Sequence, residues 1–128
     1  MDDPNLLIGD GFQIRCVEIR GEDWVYSDDV AEVTFGLGFR GRTPVIWIYR
    51  MTLPPDAPAP GPAWFLTLFQ NIESKFPEAE FSWWGHTIGI PALQQLSAAG
   101  KITLGQHTEG IPAWYQVAVT GKGSSGPT

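Results

Sequence analysis

With 128 residues the chain is long enough for one domain that buries about two thirds of its unfolded surface, so no disulfide or metal staple is needed. Its net charge of −6 argues against nucleic acid as a direct partner, because phosphate binding needs clustered Lys and Arg. The single cysteine, Cys16, excludes an internal disulfide, and no apolar run approaches the roughly 18 residues of a membrane-spanning helix.

The chain opens Met1-Asp2-Asp3 without a basic-plus-apolar leader, so a cytoplasmic protein is expected. Glycine and proline together make up about a fifth of the residues, which favours strands joined by turns over a helical bundle. Residues 1–10 read as a loose arm, closed by the turn Gly9-Asp10-Gly11. Phe12-Gln13-Ile14-Arg15-Cys16 alternates as a half-buried strand, and the phase slips at Cys16-Val17 as a bulge would make it. On that strand Cys16 reads as a small buried hydrophobe.

Gly21-Glu22-Asp23 turns the chain into Trp24-Val25-Tyr26 and the acidic Ser27-Asp28-Asp29. Val33, Phe35, Leu37 and Phe39 share one face of the clearest alternation in the chain. The opposite face carries Gly36 and Gly38, which leave room for a backbone, an aromatic ring or a ligand. Arg40-Gly41-Arg42-Thr43 reads as a hairpin loop. Pro44–Thr52 is apolar on both faces, as a central strand is. Leu53–Pro62, with five prolines, is a stiff extended connection.

The dominant signal follows. Phe65, Leu68, Phe69, Ile72 and Phe76 form one helical stripe at i, i+3, i+4, i+7 and i+11. Pro62 suits the first turn and Pro77 stops the helix. Phe81–Trp84 reads as a strand, Pro91 opens a short second helix closed by Gly100, and Lys101–Leu104 and Ala113–Thr120 are further strands. The expected fold is α+β: a mixed or antiparallel sheet of about five to six strands packed on a main helix at 63–76 and a short helix at 91–99. Residues 1–120 form one domain and residues 121–128 a flexible tail.

Catalytic signatures are missing. There is no nucleophile elbow, phosphate loop or dinucleotide fingerprint, and Gly36-Leu37-Gly38 lacks the helix that such a fingerprint precedes. Residues 86–95 and 107–116 echo each other, agreeing at seven of ten positions and each opening on a His-Thr pair. His86 and His107 are too few for a structural zinc site, so neither metal nor cofactor is expected. Trp83, Trp84, His86, Thr87 and His107 are the aromatic and imidazole candidates for binding, beside structural roles in turns.

Acidity gives a second set. Residues 1–32 hold nine acids against Arg15 and Arg20, a net of −7, while residues 33–128 net +1. Asp23, Asp28 and Asp29 mark that acidic stretch, which either solvates the surface or attracts a basic partner.

Leu53-Pro54-Pro55-Asp56, the helix Trp64–Pro77 and the aromatic strand running into Gly85-His86-Thr87-Ile88 resemble the suppressor-of-fused domain family over residues 45–90. The chain departs from the family at Gly89-Ile90-Pro91, where Pro-Asn-Gly is usual. The resemblance implies a non-catalytic α+β domain that binds another protein, and in bacteria an immunity protein neutralising a cognate toxin, with no catalytic residue carried over. Two other readings stay open: a component of a phage or secretion assembly, and a small-ligand or enzymatic domain in which Gly36, Gly38, Trp83, Trp84 and His86 line a pocket. The oligomeric state is not legible.

Overall fold

The first half of the chain folds into a meander of antiparallel strands. The computed structural model describes residues 6–17, 23–84, 89–106 and 114–119. Strands β1 (Leu6–Gly9), β2 (Phe12–Cys16), β3 (Asp23–Asp28), β4 (Glu32–Arg40) and β5 (Thr43–Thr52) each pair with the next. Helix α1 (Pro62–Lys75) then carries the chain back, and β6 (Glu80–Trp84) joins β5 in parallel. Parallel neighbours need such a crossover, because a hairpin cannot reverse the chain twice. Helix α2 (Ile90–Ala98), β7 (Ile102–Gln106) and β8 (Trp114–Val119) follow, with β8 between β6 and β7.

The sheet therefore has eight strands in the order β1-β2-β3-β4-β5-β6-β8-β7, which corrects the expected five to six. The additional strands are β1, read as a loose arm, and β3, left without an assignment. Leu6-Leu7-Ile8 has no alternation because β1 is an edge strand, and Ile8 stays exposed. Strand β3 begins and ends on aspartate, a residue that strands disfavour, and both aspartates are held by side-chain hydrogen bonds described below. The expected bulge at Cys16-Val17 does not appear as such: β2 ends at Cys16, and Val17 N–H donates to the Asp23 carbonyl at 2.8 Å. The register shift lies instead in β5, where Thr34 faces Arg50 and Phe35 faces Ile48, leaving Tyr49 as the extra residue. This slip keeps Arg50 exposed and returns Met51 to the core face.

Residues paired across strands share a face. One row of pairs reads Cys16, Trp24, Phe35, Ile48, Trp83 and Tyr115, all facing the helices. Phe65, Leu68, Phe69 and Ile72 of α1 are buried against this face, with Leu93 and Leu96 of α2 beside them. Rings lock edge to face across the layer: Phe65 to Trp83 at 5.6 Å, Phe69 to Trp83 at 5.8 Å and Phe35 to Phe76 at 5.9 Å between centroids. The next row reads Asp23, Gly36, Trp47, Ser82, Gln116 and Gly105, on the face away from the helices. The expected tail, 121–128, lies outside the described residues.

Candidate functional site

Register fixes which loops meet. At the end of the sheet where β4 begins lie the β1–β2 turn, the turn from Asp28 to Ala31, the exit of β5 with its proline-rich continuation, and the exit of β6. We call this the Glu32 end, and the other, where β4 turns into β5, the Arg40 end.

Asp28 organises the Glu32 end. Its Oδ1 accepts the N–H groups of Val30 at 2.8 Å and Ala31 at 3.0 Å, which fixes the turn. Its Oδ2 accepts the Tyr26 hydroxyl at 2.9 Å and the Trp64 indole Nε1–H at 3.0 Å, which ties the turn to the first turn of α1. Asn71 Nδ2, two turns along α1, donates to the Tyr26 oxygen at 3.0 Å. Burial holds the Tyr26 hydroxyl well above the ordinary tyrosine range. The Asn71 bond opposes that shift, and the Asp28 carboxylate adds to it by hydrogen bond and by charge. The unfolded chain releases this proton near pH 10 while the native state keeps it. The contribution to stability is thus complete below that pH and lost as pH rises above it. The urea midpoint should fall between about pH 9 and about pH 11, and Tyr26→Phe should remove part of that fall while lowering stability by ~1 kcal/mol at neutral pH. Equal alkaline slopes in the two proteins would refute the assignment.

Around this anchor the surface is acidic. Asp10, Asp29, Glu32 and Asp56 are exposed at the Glu32 end, and the exposed bases among the described residues nearest to it are Arg15 and Arg50, which share one cross-strand row on the face away from the helices. Between the β3–β4 turn and the chain leaving β5 runs a groove of about 320 Å³ lined by Val30, Glu32, Leu53, Pro54 and Pro55, with Asp28 at its base. Val30 is 38% exposed. A second cleft, of about 490 Å³, opens between the starts of the helices, with Pro60, Pro62, Phe65, Pro91 and Gln95 in its walls. Gly89 closes it at φ +116°, where an added Cβ would stand 2.7 Å from the Phe65 ring.

The residues singled out in the sequence separate. Asp29 is exposed at the acidic end, but Asp28 is half-buried and engaged internally. Asp23 is only 5% exposed on the face away from the helices, where its Oδ2 accepts the Tyr49 hydroxyl at 3.1 Å. One strand, β4, separates Asp23 from Tyr49, and they meet over Gly36, where an added Cβ would crowd Asp23 Oδ1 at 3.3 Å. Gly38 likewise admits the indole of Trp47, whose Nε1 lies 3.1 Å from where its Cβ would be. Of the uses left open for the two glycines, the structure thus places an aromatic ring over one and a carboxylate beside the other.

Trp83 is wholly buried on the helix side, opposite the face of Gly36 and Gly38, so these residues line no common pocket. Trp84 is half-buried on the other face. His86, Thr87 and His107 lie outside the described residues, as does most of the echoing segment 107–116. Trp84 of β6 pairs directly with Trp114 of β8. Among the described residues no three His, Cys, Asp or Glu side chains gather as metal ligands, and no helix is long and apolar enough to cross a membrane.

Sequence reasoning missed Glu32, Asp56 and Val30 as members of one surface. Glu32 was counted with the acidic stretch, but Asp56 lies far along the chain, and only the β4–β5 pairing brings it near. No protein-family model matches the chain, and no curated protein is significantly similar to it.

Proposed function

We propose that this protein is a non-catalytic domain that binds another protein, and that the Glu32 end receives a basic partner. The observation that supports this reading is the gathering of exposed Asp10, Asp29, Glu32 and Asp56 around the apolar groove at Val30, Leu53 and Pro54. Such a surface attracts a positively charged protein at long range and offers it apolar area at contact. The sharper form is an immunity protein acting in the bacterial cytoplasm on a cognate toxin. It rests on the resemblance of residues 45–90 to suppressor-of-fused domains and on the charge, since many toxin nucleases are basic.

The test is the product of the adjacent gene, mixed with the purified protein. A complex should form, weaken as salt rises, and lose about a hundredfold or more in affinity when Asp29, Glu32 and Asp56 are all changed to lysine. No complex and no protection from toxicity would sink the immunity reading. A second reading, a small-ligand domain, is favoured by the 490 Å³ cleft beside Gly89, a size common for small molecules. It predicts that Gln95→Trp, which fills the cleft from the exposed side of α2, abolishes ligand uptake and leaves partner binding intact.

A further inference from the structure

We propose that copies of this chain associate head to tail, the β4–β5 hairpin tip of one docking in the groove at the Glu32 end of the next. The two surfaces terminate the same strand. At the Arg40 end the tip Phe39-Arg40-Gly41-Arg42 projects from the sheet, with Phe39 69% exposed and Arg42 exposed. Gly41, at φ +64°, makes the tight turn that leaves them there. A phenylalanine this exposed at a hairpin tip is an anchor without a pocket in its own molecule. The pocket lies at the other end of β4: Val30, Leu53 and Pro54 offer apolar walls, and the groove's 320 Å³ accepts a phenyl ring with the aliphatic part of an arginine beside it.

Charge sorts the same way. Exposed Arg42 stands on the tip itself, and exposed Lys101 and half-buried Lys75 lie at the same end, where the acids among the described residues are exposed Glu78 and half-buried Glu73 and Glu80. Asp10, Asp29, Glu32 and Asp56 stand at the other. Opposite charges at contact outweigh the like net charge of two copies, because screening confines electrostatics to about 10 Å at ordinary salt. Nine residues of β4 put tip and groove roughly 30 Å apart, so one molecule cannot fill its own groove. The contact is therefore heterologous, and it repeats along the strand direction unless the rotation closes a ring. The groove is the one assigned above to a basic partner, so partner and copy compete for it, but the association needs no partner.

The experiment is sedimentation velocity of the protein alone, from low micromolar to its solubility limit in about 0.1 M salt. The sedimentation coefficient should climb with concentration and return to that of a monomer at about 0.5 M salt. Phe39→Ser, and separately Asp29→Lys with Glu32→Lys, should each weaken the association about tenfold while circular dichroism and melting stay unchanged. The first variant keeps only the groove and the second only the tip. Mixed in equal amounts they should form dimers and nothing larger. A monomer at every concentration, association that survives both variants, or a mixture that stays monomeric would overturn the proposal. Because no partner enters, such a result leaves the reading of the Glu32 end as a partner site to its own test.

Discussion

Ile72→Asp should leave the protein unfolded at 25 °C, without a native circular-dichroism spectrum or a cooperative melt. Ile72 is completely buried in the middle of the α1 stripe, over the sheet face that carries Phe35 and Trp83. Removing its side chain from that layer costs about 3 kcal/mol, and placing an ionised carboxylate there without a partner costs several more. The sum is comparable to the whole stability of a domain this size, about 5–15 kcal/mol. Gln70→Asp, on the exposed side of the same helix, is the control and should shift stability by no more than ~0.5 kcal/mol. A cooperative melt in Ile72→Asp would mean that α1 is not the cover of this sheet.

Asp28→Ala should give the largest loss of any substitution that leaves the core intact, about 3 kcal/mol, or a Tm lower by roughly 10 °C. The change removes the acceptor of the Tyr26 hydroxyl and the Trp64 indole, two part-buried bonds that join β3 to the first turn of α1. It also releases two N–H groups of the β3–β4 turn, which solvent reaches, so these contribute less. Trp64→Phe removes one donor and keeps most of the packing, so it should cost ~1 kcal/mol. In the double variant the losses should fall short of additive, because the two groups share one bond. Strict additivity would show that the bond does not form. Since Asp28 also shapes the groove at Val30, its loss should weaken partner binding, whereas Trp64→Phe should not.

The elements most legible in the sequence were those whose side chains obey one period. The α1 stripe from Phe65 to Ile72 and the alternation from Val33 to Phe39 repeat one environment, and periodicity reports environment. Strand β3 hid because its ends are chosen for partners, not for period: Asp23 faces Tyr49, and Asp28 faces Trp64 and Tyr26. Those partners lie 26 and 36 residues away for Tyr49 and Trp64, beyond any local pattern. The candidate site was legible as charge but not as place. A count of acids in residues 1–32 gives Asp23, Asp28 and Asp29 equal weight, yet the fold consumes the first two internally and leaves Asp29 outside. What the count lacked was Asp56, which reaches the surface through a strand pairing that composition does not encode.

The position of β8 between β6 and β7 has a consequence for how the molecule is made. Strands β1 to β5 find their neighbours within hairpins, so that half can zip up as it emerges from the ribosome. Strand β7, in contrast, emerges with no partner of its own and must wait for a strand that follows it. Until β8 arrives, the apolar row Phe81, Trp83, Ile102 and Leu104 has an open edge, and that interval is when a nascent chain is most exposed to chaperones and to its own neighbours.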